Sequence, residues 1–193
     1  MELLKQRIAA EGRVEANSIL KVDNFLNHQI DVELFLAIGE EFRKRFPQAR
    51  PDKILTIESS GIGVAFATAM AFGNLPVVFA KKKDGGFQNR NAYISKVFSY
   101  TKDKEYEIMV DKRFLLPGER VLVIDDFLAN GNAALGLLSI VKEAEATLEG
   151  FGAVIEKGFQ EGRHILREQQ VDVQSLVIIR EFADNQVVFD HSL

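Results

Sequence analysis

The chain has no cysteine and no tryptophan among its 193 residues. The first absence excludes disulfides, cysteine–zinc sites and thiol nucleophiles. Histidine is scarce: His28, His164 and His191 lie far apart, show no metal-ligand spacing and receive no role. None of them stands in a recognisable Ser-His-Asp context. Positive charge is not in excess either. The formal net charge is -4, which argues against a nucleic-acid partner but leaves room for a local basic pocket that takes an anionic small molecule. Long apolar runs are also missing. Val64–Phe72 is the longest and is too short to cross a bilayer. Met1–Lys5 opens no stretch of signal-peptide length. A cytoplasmic protein without a membrane partner is the expectation.

Apolar residues make up 47% of the chain, with 15 Phe. That is enough for a sizeable core in a single domain spanning 1–193. Residues 2–11 read as a short helix ended by Gly12. Arg13–Ile30 reads as irregular. Asp31 reads as an N-cap, followed by Leu34, Phe35, Ile38 and Phe42 at helical spacing. Short apolar runs then alternate with helices: strands over 53–58, 75–80, 120–124, 151–155 and 175–179, and helices over 62–72, 130–146 and 160–170. Runs that are continuously apolar, joined by helices, imply a parallel sheet covered on both faces. The polar stretch Lys81–Tyr106 breaks this rhythm. It holds plausible strands at Tyr93–Tyr100 and Glu105–Val110, as a hairpin excursion from the sheet.

In an open parallel sheet, ligands bind beyond the carboxyl ends of the strands. The richest such place follows Val121-Leu122-Val123-Ile124: Asp125-Asp126-Phe127-Leu128-Ala129-Asn130-Gly131-Asn132-Ala133. A buried strand there delivers two acids, and a turn of small residues opens a helix. The amides and dipole of a helix start suit a phosphate, and Gly131 permits positive φ and a close approach. Two carboxylates beside an anion site fit a ligand that also carries sugar hydroxyls, a divalent metal or developing positive charge. The bland alternative is a cap at Asp126 and a solvated Asp125.

This string resembles the phosphoribosyl-pyrophosphate motif of the type I phosphoribosyltransferases. The commoner loop ends in Thr-Gly-x-Thr, whereas the Ala129-Asn130-Gly131-Asn132-Ala133 form looks like the xanthine phosphoribosyltransferase group. Leu20-Lys21-Val22-Asp23, Phe25–Ile30, Ile57–Ile62 and Val154-Ile155-Glu156-Lys157 look like that group as well. The resemblance implies a type I phosphoribosyltransferase fold, α/β, with a central parallel sheet flanked by helices and a small N-terminal hood from about residues 1–35. It implies transfer from phosphoribosyl pyrophosphate to xanthine, giving xanthosine monophosphate and pyrophosphate. Magnesium held mainly through substrate phosphates and a homodimer are also implied. Ala129, Asn130, Gly131, Asn132 and Ala133 would hold the 5-phosphate. Asp125 and Asp126 would be the catalytic pair facing the ribose. Leu20, Asn27 and Lys157 would contact xanthine, and the position of Phe127 places its ring against the purine.

Ser59-Ser60-Gly61 opens a helix after the first sheet strand, so Ser60 suits pyrophosphate or serves as an ordinary N-cap. Lys81 reaches the pyrophosphate, from the same or a neighbouring subunit, or belongs with Lys82 and Lys83 to a solvated charge run. Lys157 either donates to a purine carbonyl, which favours 6-oxopurines over adenine, or is a surface lysine. Asn27 either reads a purine edge, since it both donates and accepts, or makes a turn. The excursion over 81–106 is a lid or a dimer arm. The rival readings are a guanine or hypoxanthine preference, a ligand-sensing regulator and a plain nucleotide-binding domain. A regulator would need a DNA-binding module that the first 50 residues do not show, and a plain nucleotide-binding domain leaves the acidic pair unexplained.

Overall fold

The computed structural model describes residues 1–82, 91–99 and 104–190. Lys83, Tyr100 and His191 lie outside the described residues. Ten strands and five α-helices follow in chain order among those described: α1 (Glu2–Glu11), β1 (Arg13–Glu15), β2 (Ile19–Lys21), α2 (Val32–Arg45), β3 (Lys53–Ile57), α3 (Gly61–Ala71), β4 (Val77–Lys82), β5 (Ala92–Ser99), β6 (Lys104–Asp111), β7 (Arg120–Leu128), α4 (Asn132–Glu143), β8 (Thr147–Lys157), α5 (Gly162–Glu168), β9 (Val173–Ala183) and β10 (Gln186–Phe189).

The main sheet has the order β10-β9-β8-β7-β3-β4-β6-β5. Its interior, β9-β8-β7-β3-β4, is parallel, as the uninterrupted apolar runs require. The edges are antiparallel: β10 folds back on β9, and the β5–β6 hairpin joins through β4. One face packs on α1, α2 and α3 around Ile8, Phe42, Val64 and Leu122; the other packs on α4, α5 and the hairpin around Leu137, Leu166, Ile108 and Val121. Burial on both faces is why the strands carry no polar alternation.

Helix α2 begins where the Asp31 side chain accepts from the Leu34 amide at 3.1 Å. Glu33 in its first turn and Arg43, Lys44 and Arg45 in its last complement the helix dipole. Gly39 of α2 sits almost on the α3 backbone: a Cβ there would lie 2.3 Å from the Ala67 carbonyl oxygen. That contact sets the height of α3, and so of its first residue, Gly61, over the sheet.

The elements differ from the sequence expectation in several places. Arg13–Ile30 is ordered as the β1–β2 hairpin followed by a π-helical turn over Asp23–Asn27. β8 starts at Thr147, not 151, and β9 runs to Ala183, not 179. Helix α4 starts at Asn132 rather than 130, and α5 covers only 162–168. β10 was not expected. Its turn, Asp184-Asn185, has both φ values positive, 50° and 56°, a two-residue hairpin geometry that matches strand twist. Strand β7 continues to Leu128. The acidic pair therefore lies within the strand and is buried, rather than standing just beyond its tip.

Replacing Gly39 with Ala is expected to force α2 off α3 and to cost about 1–3 kcal/mol. A lowered urea midpoint with an unchanged m-value checks this; an unshifted midpoint refutes the close-contact account.

Candidate active site

The carboxyl ends of the parallel strands are Ile57, Lys82, Leu128, Lys157 and Ala183. From β3 the chain goes first to β4 on one side; it later returns as β7 on the other. Connections that leave a strand in opposite directions open a crevice between the two strand ends. Here that crevice lies between β3 and β7, where Ser59–Gly61 and Asp125–Ala133 stand. The two segments touch: a Cβ on Gly61 would lie 2.3 Å from Thr56 Oγ1 and 2.9 Å from Asp125 Oδ1. Thr56 Oγ1 is buried there and makes no hydrogen bond among the described residues.

Asp125 and Asp126 are 4% and 9% exposed. The Asp126 amide donates to Asp125 Oδ1 at 2.9 Å; the following helix starts from Gly131 with no side-chain cap, so Asp126 does not cap it. Burial, reinforced by the charge of Asp126, pushes the Asp125 carboxyl well above the usual carboxylate range. The sequence alternative of a solvated Asp125 does not hold.

Past the acids, Gly131 takes φ +85° and ψ 0° and precedes α4, and no side chain caps that helix. The first amides of α4 thus face the loop unshared by any capping group. Gly131 has a second constraint. A Cβ on it would meet the Cα of Gly162 at 3.0 Å, and the Gly162 amide donates to the Ala129 carbonyl at 3.0 Å. The start of α5 therefore forms the back wall of the loop. A cavity of about 210 Å³ lies between Phe127–Ala134 and the hairpin residues Val97, Phe98 and Tyr106. The Asn132 side chain does not point into open space; its amide donates to the Phe98 carbonyl at 3.0 Å and ties the loop to β5.

Ser60 stands at the start of α3, but its hydroxyl makes no capping bond, so the ordinary N-cap reading fails. Glu58 fastens this corner: its amide donates to the Ala80 carbonyl, and its Oε1 accepts from the Lys82 amide at 2.6 Å. Lys81 points elsewhere. Its ammonium lies 5.7 Å from the Phe79 ring centroid, in a cavity of about 600 Å³ shared with Val77, Met109 and Phe114. The structure does not bring it to the loop of its own chain.

At the end of β8, Lys157 Nζ donates to the Ser18 carbonyl at 3.0 Å and stands 5.8 Å from the Phe182 ring centroid. Burial holds its ammonium below the ordinary lysine range. The β1–β2 and β9–β10 hairpins are joined reciprocally: the Asn185 amide donates to Asn17 Oδ1 at 2.8 Å, and the Asn17 amide donates to Asn185 Oδ1 at 3.3 Å. Leu20 is buried against the N-terminal core, while Asn27 is exposed at the end of the π-helical turn. Phe127 is half-buried on β7, opposite Ile155.

Three contributors escaped the sequence reading. Tyr106 lines the loop cavity, and burial together with the Asp125 charge raises its hydroxyl pKa. Gly162 walls the loop, and Arg163, next along the chain, pairs with the buried Glu156. The Gly-Arg pair opening a helix after β8 was the available signal, but glycine is too common at helix boundaries for that to single it out.

No family model matches the chain. Named relatives do. The chain is 52% identical over 189 residues to a xanthine phosphoribosyltransferase of Clostridium novyi, covering 98% of this chain and 99% of that one. It is 55% identical to the enzyme of the same name from Laribacter hongkongensis, covering 98% and 100%. Among solved structures, adenine phosphoribosyltransferase from Rhodothermus marinus superposes with a TM-score of 0.75 at 23% identity, covering 92% of this chain and 97% of that one. The Saccharomyces cerevisiae adenine enzyme gives 0.72 at 22%, covering 91% and 99%. At such identities the solved structures speak for the fold.

A valine at position 131 combines positive φ with a clash against Gly162, at an expected cost of about 1–3 kcal/mol. It should also speed amide exchange across 129–134. Exchange rates like those of the parent protein count against the two-glycine contact as the loop's constraint.

Proposed function

Because the chain belongs to the xanthine phosphoribosyltransferase family, we propose that the crevice between β3 and β7 carries that family's reaction with the residues described above. The phosphoribosyl group passes from phosphoribosyl pyrophosphate to xanthine, giving xanthosine monophosphate and pyrophosphate, a purine-salvage step. The observation that supports this site most directly is the meeting of Gly61 with Asp125 at the switch point, close enough for one ligand to reach both segments.

In this reading the amides of Ala129, Asn130, Gly131, Asn132 and Ala133 hold the 5-phosphate. The Ser59–Gly61 corner, with the free Ser60 hydroxyl, takes the pyrophosphate. A purine nitrogen displaces pyrophosphate: the bond from the anomeric carbon to nitrogen forms, the bond to the pyrophosphate oxygen breaks, and the nitrogen's proton is lost to solvent. The ribosyl-cation-like transition state gains positive charge beside Asp125 and Asp126, so the catalysis is positioning and electrostatics. The ammonium of Lys157 leaves the Ser18 carbonyl for a purine carbonyl oxygen. Phe127 lies along the ring. Leu20 and Asn27, in a hood built from residues 1–35 within one domain, close the base from above.

Neighbouring carboxylates beside phosphate oxygens suit magnesium, a hard cation that keeps several waters and needs one or two protein oxygens; Asp125 and Asp126 would supply them. Such an ion would supply charge neutralisation for the pyrophosphate. Phe66 and Met70 of α3 and Phe79 of β4 are exposed at 61%, 44% and 37%, on elements that touch each other. An apolar face of this kind suits a second copy, and a homodimer gives Lys81 a neighbouring active site to reach. A charged sugar pyrophosphate does not cross membranes unaided, which assigns the work to the cytoplasm.

Asp126→Asn keeps the shape and removes the charge, so turnover should fall by roughly 100-fold or more with the melting temperature held. A near-parental rate takes Asp126 out of the chemistry. Lys157→Ala, assayed with phosphoribosyl pyrophosphate, magnesium and each of xanthine, guanine and hypoxanthine, should weaken xanthine use by about tenfold to a hundredfold. The effect on phosphoribosyl pyrophosphate should be far smaller; equal losses refute the base assignment. The pH profile follows in sign. Lys157 binds the base while protonated, and its pKa lies below that of an exposed lysine. Its contribution is therefore full at low pH and fades as pH rises through that lowered value. The KM for xanthine should climb earlier than an ordinary lysine allows, and the variant should lack that limb.

A further inference from the structure

We propose that the buried Glu156–Arg163 pair is a positioning device for the loop 129–131, and so for the sugar's 5-phosphate; this rests on the phosphate-loop reading above. Glu156 has a side chain only 3% exposed, and that of Arg163 is 17% exposed. Arg163 Nε donates to Glu156 Oε1 at 2.7 Å, and Nη2 donates to Glu156 Oε2. Two further bonds hold it: Nη1 donates to the Val173 carbonyl at 3.2 Å and Nη2 to Ser175 Oγ at 3.1 Å. Ser175 Oγ in turn donates to Glu156 Oε2. A guanidinium held at this many points is fixed in both place and orientation.

What it fixes is its neighbour. Gly162 is buried against the loop, with no room for a Cβ: one would lie 2.4 Å from the Ala129 carbonyl oxygen and 3.1 Å from the Gly131 amide nitrogen. Glu156 is registered across the sheet from Leu128, the residue before that loop. The loop is therefore clamped from both ends by one ion pair: Leu128 through the β7–β8 ladder, and Ala129 and Gly131 through Gly162. A pair of bulky apolar residues would fill the same volume, but it would lack the fork that sets the direction of the start of α5. Loop amides displaced by a fraction of an ångström lose alignment on a phosphate, and misplacement on that scale is costly.

The test uses the full chain in steady-state assays with phosphoribosyl pyrophosphate and xanthine. Removing Arg163 alone strands a buried carboxylate, so the main variant is the double change Glu156→Gln/Arg163→Met, which removes both charges; it should melt within about 4 °C of the parent. Its KM for phosphoribosyl pyrophosphate should rise on the order of tenfold or more, while the KM for xanthine at saturating co-substrate stays within about twofold. Arg163→Lys keeps the charge without the fork; it should show the same selective defect, and it carries the test if the double variant does not fold. The proposal is overturned if these variants bind phosphoribosyl pyrophosphate like the parent, or if both KM values rise together with a falling melting temperature. Gly131→Val separates the two layers. If it loses phosphoribosyl pyrophosphate while the pair variants do not, only the positioning role fails. If it binds normally, the phosphate-loop reading fails and the positioning role goes with it.

Discussion

Two carboxylates on consecutive residues of a buried strand cannot both carry full charge without cost. Asp125 and Asp126 lie inside β7, 4% and 9% exposed, and the Asp125 carboxyl is pushed above its ordinary range first by burial and then by its neighbour. Thr56 Oγ1, close by, has no hydrogen-bond partner among the described residues. Polar groups left under-satisfied in a core generally mark a site that pays in stability for readiness to bind. In the proposed reading, a ribose would bring hydroxyl donors to the acids and, as its bond breaks, positive charge beside them. In that reading, a feature that costs stability would favour the transition state over the ground state, because the positive charge exists only while the bond to pyrophosphate is breaking.

The fold was legible wherever burial dictates composition. Parallel strands covered on both faces must be apolar throughout, so β3, β7 and β8 announced themselves, as did the cap at Asp31. Strand β7 was cut short for the same reason. Acids read as the end of an apolar run, yet here the ladder to β8 continues through Asp125, Phe127 and Leu128. Hairpin β9–β10 escaped because Asp184-Asn185 adopts positive φ without glycine, and β1–β2 escaped because three-residue strands carry too little periodicity to count.

Of the candidate site, what a motif encloses was readable and what it leans on was not. Gly131, Asp125, Asp126 and the Ser59–Gly61 corner sit in contiguous segments with a recognisable chemistry. Gly162 meets that loop from thirty-one positions further along the chain, and no local pattern reports such a contact. For Lys81 the single chain narrows the alternatives. Its place after an apolar run suggested the site, but a β-strand side chain points where the pleat sends it, and the pleat puts Lys81 beside Phe79, two residues before it on the same strand. Of the two pyrophosphate readings, the one through a neighbouring subunit is what this placement leaves to test.

The end of β8 brings these threads together. Consecutive side chains on a strand project to opposite faces, and β8 finishes on Glu156 and Lys157. Glu156 turns to Arg163 and thereby to the phosphate loop; Lys157 turns to Ser18 and the N-terminal hairpin. In the proposed reading, one strand end would serve both halves of the ligand, the sugar's phosphate through a buried ion pair and the base through a half-buried ammonium. The distance between a 5-phosphate and a purine carbonyl is nearly constant within a nucleotide, and a rigid parallel strand is the element best able to hold its two receptors at that spacing. A site built on loops alone would have to spend binding energy fixing that distance at each encounter.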